Sequence, residues 1–184
     1  MKALVLLAEG VEEMEAVIAI DLLRRAKWDV TAAGLEAGPL TASRGVRLVP
    51  DRKLEGLRAD DFDVLVVPGG AGGVKRLRAH AGVLELVRQF DRAGKTIAAV
   101  CAGPLVLQQA GILEGRNATC HPDVAGELTA ARRSDARVVV DGHLLTSQGA
   151  GTCFEFALAL VARHDGPEAA ARIARGIVWA GAAG

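Results

Sequence analysis

Short apolar, largely β-branched runs alternate with longer amphipathic segments along almost the whole chain, and this alternation restricts the fold more than any other feature. Ala3–Ala8, Asp29–Ala33, Asp63–Pro68 and Lys95–Val100 read as strands, and Val11–Ala26, Val83–Ala93, Gly151–Arg163 and Pro167–Val178 as helices. A helix also follows Pro104, through Ala110. Pro39–Thr41 and Val46–Val49, on either side of Ala42-Ser43-Arg44-Gly45, read as a small hairpin, and Ala118–Cys120, Arg137–Val140 and Leu144–Ser147 as further strands. The pattern predicts an α/β fold, a mostly parallel sheet with helices on both faces. Ligands of such sheets bind beyond the carboxyl ends of the strands. Glu9–Glu15, Gly69-Gly70, Cys101 and His121 all follow strand ends, so they can share one crevice. No linker or repeat divides the 184 residues, and a single domain spanning 1–184 is expected.

Charge and cysteine content narrow the functional class. Lys plus Arg equals Asp plus Glu, 22 against 22, which argues against general nucleic-acid binding. No apolar run approaches the length needed to span a bilayer, and the apolar start Ala3–Ala8 meets Glu9, Glu12, Glu13 and Glu15 at once, as a first strand would and a signal peptide would not. Three cysteines do not make a disulfide framework, so a reducing cytoplasm is the expected location.

Cys101 stands between the strand ending at Val100 and the helix beginning near Pro104. A cysteine at such a turn is pushed out of the sheet toward free helix N–H groups, and the dipole there favours thiolate. The alternative is a buried structural cysteine, a common fate for this residue. On the first helix Glu15 falls in the middle of the apolar stripe Val11, Ile18, Leu22, Ala26, whereas Glu13 falls well away from it. Glu15 either stays buried and protonated, able to donate to a neighbouring thiolate, or bends out toward Arg25.

The cluster Pro68-Gly69-Gly70-Ala71-Gly72-Gly73 has neither the phosphate-loop nor the dinucleotide register, and reads as backbone N–H groups free to approach an oxyanion. His121, at a strand end, is the histidine placed to partner Cys101, whereas His80, His143 and His164 default to the surface. No His-x-Glu completes an amidotransferase triad, and adjacent Cys120-His121 lacks zinc-ligand spacing, so neither metal nor organic cofactor is expected.

Ala8-Glu9-Gly-Val-Glu-Glu-Met-Glu15, Pro68-Gly69-Gly70, Ala98-Ala-Val-Cys101-Ala-Gly-Pro104, His121-Pro122 and Leu145-Thr-Ser-Gln148-Gly-Ala-Gly151-Thr together resemble the ThiJ/PfpI superfamily, in the branch of a Parkinson-linked human protein and its bacterial relatives. The resemblance implies a flavodoxin-like three-layer sandwich and a homodimer. It implies Cys101 as nucleophile, Glu15 as the protonated carboxyl bonded to it, His121 as the nearby imidazole, and the N–H groups of Gly70 and Ala102 as oxyanion hole. It places Arg44 near the site and the dimer contact. The implied chemistry is conversion of 2-oxoaldehydes (methylglyoxal to lactate) without glutathione, or removal of early glycation adducts. The alternative is an oxidative-stress sensor or chaperone acting through oxidation of Cys101 to sulfinate. Gln148 stands where the human protein has arginine, Val49 where it has a second cysteine, and Cys120 where it has threonine. A Cys120 side chain pointing into the crevice would allow a disulfide with Cys101 after sulfenate formation, although strand alternation puts Cys120 and His121 on opposite faces.

Overall fold

A computed structural model describes residues 1–181. The core strands are β1 (Lys2–Leu7), β2 (Asp29–Gly34), β6 (Val64–Val67), β7 (Thr96–Val100), β10 (Val138–Asp141) and β11 (Leu144–Ser147). The short strands are β3 (Leu40–Thr41), β4 (Arg47–Leu48), β5 (Arg52–Lys53), β8 (Asn117–Ala118) and β9 (Arg132–Arg133). The helices are α1 (Glu13–Arg25), α2 (Ala71–Ala79), α3 (Ala81–Arg92), α4 (Pro104–Ala110), α5 (Cys153–Asp165) and α6 (Pro167–Gly176). The main sheet runs β10-β11-β7-β6-β1-β2-β5, parallel throughout except for β10 against β11.

Burial on both faces explains why these strands read as continuous apolar runs. Side chains alternate between two cores: Leu4, Leu6, Leu65, Val67, Ile97 and Ala99 pack toward the cluster that includes Val74, Val87 and Leu107 of α2, α3 and α4. Ala3, Val5, Leu7, Val64, Val66, Ala98 and Val100 pack toward the cluster that includes Ala16 and Leu23 of α1 and Phe156 of α5. The expected flavodoxin-like sandwich is therefore observed.

Several local expectations are corrected. The glycine cluster opens a helix: Gly70 precedes α2, whose Val74 and Leu77 are buried. Gly73, within that helix, serves close packing, since a Cβ on it would lie 2.9 Å from the Val11 Cα. Glu13 is buried, because the β3–β4 hairpin folds over it and Ser43 Oγ and the Arg44 N–H donate to its carboxylate at 2.8 and 2.9 Å. Burial opposes ionisation of Glu13, and these bonds outweigh it and lower its pKa. The strand expected at Ala118–Cys120 is only β8, paired with β9 apart from the main sheet. Two-residue β5 extends the β2 edge where the sequence shows no apolar run.

The chain runs from β1 to β2 on one side and later returns to β6 on the other. Strand order thus reverses at β1/β6, and a crevice opens past their carboxyl ends. Among the described residues, no helix is long and apolar enough to cross a membrane. No group of His, Cys, Asp and Glu among them could hold a metal ion. Leu65 is fully buried at the centre of the sheet. Leu65→Ala is expected to lower the unfolding free energy by about 3 kcal/mol in urea titration; a loss below about 1 kcal/mol would contradict the two-sided burial of β6.

Candidate active site

Cys101 has φ +63°, in the left-handed region that a β-carbon disfavours. The backbone on either side imposes that torsion. The Cys101 N–H donates to the Ser147 carbonyl at the end of β11 (2.9 Å), and the Cys101 carbonyl accepts from the His121 N–H (3.0 Å). The Gly103 N–H closes onto the Val100 carbonyl at 2.8 Å, making the turn tight. Only part of the residue is exposed, and its side chain faces a cleft of about 680 Å³ that Glu15, Gly70, Ala102 and His121 also line.

Glu15 remains inside, 1% exposed, and Arg25 pairs with Asp21 instead. The first turn of α1 is held by Glu12, whose Oε2 accepts from the Glu15 N–H at 2.8 Å. The Glu15 carboxyl points the other way. Its Oε2 accepts from the Gly69 N–H at 2.7 Å, and the carboxyl shares a hydrogen bond with the Cys101 thiol. Only glycine fits at 69. A Cβ there would lie 2.6 Å from the Cys101 Cβ and 2.7 Å from Glu15 Oε2. In the sequence Pro68-Gly69 after a strand points only to backbone approaching an oxyanion; in the fold the Gly69 N–H is taken by the Glu15 carboxyl.

Burial pushes the Glu15 pKa up to about 7, against the opposing hydrogen bonds from Gly69 and Cys101. Burial, then the negative charge and hydrogen bond of Glu15, push the Cys101 thiol up to about 12, while the N–H groups of Ala102 and Gly70 bond the sulfur and act downward. The expectation that a helix end by itself yields a thiolate is therefore corrected. The helix α4 has only seven residues and starts at Pro104, so desolvation wins over its dipole. Cys101 and Glu15 instead form a coupled pair in which burial raises both groups and the carboxyl gives up its proton before the thiol does. A proton on Glu15 removes its charge from beside the sulfur and turns it into a donor.

His121 is part of the same cleft. Its Nδ1 accepts from the Asp123 N–H at 3.2 Å, so the neutral ring carries its proton on Nε2, and the Asp123 carboxylate lies 3.6 Å from Nδ1. Gly70 and Ala102 meet at the sulfur, while Arg44 stands in the cleft wall with its backbone fixed by Glu13. The other cysteines are elsewhere. Cys120 is fully buried in the apolar cluster with Leu105, Leu107 and Leu128 and does not line the cleft. Cys153 is fully buried beneath Glu15, whose carbonyl lies 3.5 Å from its sulfur. A second cleft of about 600 Å³, near His80 and Glu85, has none of these groups.

Residues 1–163 match the DJ-1/PfpI family. The Drosophila melanogaster protein dj-1beta is 42% identical over 181 residues, covering 97% of both chains. Its crystal structure superimposes with a TM-score of 0.94 over 98% of each. A Caenorhabditis elegans protein named glutathione-independent glyoxalase DJR-1.2 is 38% identical over 169 residues, 90% of each chain.

A carboxyl whose pKa rises from 4.5 in the unfolded chain to about 7 in the fold favours the folded state most when protonated. Its contribution is therefore fully present below about pH 4.5 and is lost as pH rises through 7. The loss is on the order of 3 kcal/mol. Glu15→Gln, which retains an acceptor for Gly69 and a donor for Cys101, is expected to remove this decline from urea-unfolding curves recorded between pH 5 and 8. An unchanged pH dependence in the variant would show that Glu15 does not titrate in this range.

Proposed function

The chain belongs to the DJ-1/PfpI family, and on that footing we propose that it is a glyoxalase that needs no glutathione, with Cys101 as nucleophile. The observation that carries this reading is the convergence on one sulfur of two backbone donors and a carboxyl able to carry a proton near neutral pH. Cys101 sulfur adds to the aldehyde carbon of methylglyoxal as its proton passes to Glu15. The Gly70 and Ala102 N–H groups move from the sulfur to the oxyanion formed, in a site that excludes much of the solvent. Glu15 and His121 then carry the proton of the former aldehyde carbon to the neighbouring carbon, through an enediol, leaving the lactate thioester. Water cleaves the thioester, releasing lactate and restoring the thiol. The aldehyde carbon is oxidised while the ketone carbon is reduced, so the substrate balances its own electrons and water is the sole co-reactant. Early adducts of 2-oxoaldehydes with amines or thiols present the same carbon, which extends the reading to deglycation.

Lactate formation from methylglyoxal by freshly reduced protein, without glutathione, tests this function. Cys101→Ala is expected to abolish it, and Glu15→Gln to lower kcat/KM by about 10²-fold or more. His121→Asn is expected to lower it by about tenfold. In the wild type kcat/KM should rise with pH through about 7, where the pair loses its first proton, and then level off. Turnover that survives in Cys101→Ala would overturn the reading.

One observation favours a second reading. Among the three cysteines only Cys101 lines the cleft, so an oxidant reaches it first, and the same donors would hold a sulfinate. Under graded peroxide, intact-mass spectra of a sensor should show two added oxygens confined to Cys101; oxygen spread equally onto Cys120 and Cys153 would count against it.

A homodimer in the cytoplasm is the assembly this reading favours. Met14 and Val17 are half exposed on the outer side of α1, and Val46 and Val49 are exposed on either side of β4 in the hairpin, apolar residues suited to a second copy. Sedimentation at micromolar concentration is expected to give twice the 19.1 kDa chain mass, and Val17→Asp to halve it.

A further inference from the structure

Arg76 stands in the wall of the cleft, yet none of the steps above uses it. Its guanidinium makes one long bond, from Nη1 to the Gly72 carbonyl of its own helix at 3.3 Å. Among the described residues it has no carboxylate at ion-pair distance, whereas Arg78 on the same helix pairs with Glu127. The sequence of α2, Ala71 to Ala79, contains Lys75, Arg76 and Arg78 and no acidic residue. The carboxylates that share the cleft are engaged. Glu9 Oε2 accepts from the Thr41 N–H, Glu12 Oε2 from the Glu15 N–H, and Asp123 sits beside the His121 ring. Arg44, the other guanidinium of the wall, donates from Nη1 to the Ser43 carbonyl of its own hairpin at 3.4 Å, and with Glu9, Glu12 and Asp123 set against Arg44 and Arg76 the cleft as a whole does not draw anions by its long-range field. Discrimination must come from direct contact with a guanidinium whose fork of N–H donors is free, and that fork matches a carboxylate or phosphate.

We propose that Arg76 sets substrate preference, selecting 2-oxoaldehydes that carry a carboxylate or phosphate on the carbon chain beyond the ketone. The proposal rests on the glyoxalase reading, so its test includes a probe that needs no turnover. Iodoacetate and iodoacetamide differ little except in charge, and both alkylate Cys101 by forming an S–C bond as iodide leaves. Arg76→Gln is expected to slow alkylation by iodoacetate about tenfold while leaving the iodoacetamide rate within twofold, and Arg76→Lys to fall between. In turnover, kcat/KM for 4,5-dioxopentanoate should exceed that for methylglyoxal in the wild type and fall about tenfold in Arg76→Gln, with the methylglyoxal value unchanged. Hydroxypyruvaldehyde phosphate in a parallel arm separates the two anions, the one with the larger loss being the preferred group.

Equal effects of Arg76→Gln on iodoacetate and iodoacetamide would overturn the proposal, as would a wild type that disfavours both anionic aldehydes. Absence of turnover with every aldehyde, alongside a charge-selective alkylation ratio, would instead overturn the glyoxalase reading and leave Arg76 as an anion contact.

Discussion

The hydrogen bond from the Gly69 N–H to the Glu15 carboxyl fixes the rest of the site. It joins the end of β6 to the start of α1 across the point where strand order reverses, and it presses the carboxyl against Cys101. A buried carboxyl without a partner would be costly, and would turn outward or unfold the first turn of α1. Held by a backbone donor, it can remain inside at 1% exposure, directly beside the sulfur. The missing side chain at residue 69 is what lets strand end, carboxyl and sulfur occupy adjacent volumes. Strain at Cys101 belongs to the same arrangement, since a relaxed torsion would carry the sulfur away from both the carboxyl and the Gly70 and Ala102 donors.

What the sequence revealed depended on whether local pattern and tertiary packing agree. The central strands were legible because two-sided burial leaves continuous apolar runs, as in Val64–Val67 and Thr96–Val100. The Cys101 turn was legible because a buried strand, a cysteine and an early proline follow one another. Glu15 could be picked out because a carboxylate stood amid apolar residues. Helix α2 was hidden, since Gly72 and Gly73 at its start mimic a loop, and their reason is contact with Gly10 and Val11, more than 60 positions earlier in the chain. Burial of Glu13 was hidden for a similar reason: the hairpin that covers it is remote in sequence. The direction of the Cys101 shift could not be read from the helix alone. It depends on how completely Glu15 and the surrounding backbone exclude water, a quantity set only by the assembled fold.

Charge in the cleft follows a division of labour. Glu9 and Glu12 hold backbone, fixing the hairpin and the first turn of α1. Glu13 fixes the loop that presents Arg44. The acidic residues clustered near the start of the chain are therefore mostly structural, and only Glu15 touches the sulfur. A sequence rich in carboxylates around a cysteine would otherwise suggest a field hostile to a thiolate.

The left-handed torsion at residue 101 belongs to the backbone rather than to the sulfur, because Ser147 and His121 hold it through main-chain bonds. The cleft is thus a mould that keeps its shape when the thiol is removed. Alanine or serine at this position would bear the same torsional penalty as cysteine, about 1 kcal/mol, and only glycine would be relieved of it. Alanine or serine there would accordingly remove the sulfur while leaving the positions of Glu15, Gly69 and Gly70 around it unchanged. Glycine would relieve the strain but add a comparable entropy to the unfolded chain, so the left-handed torsion costs the fold little that a change of residue could recover.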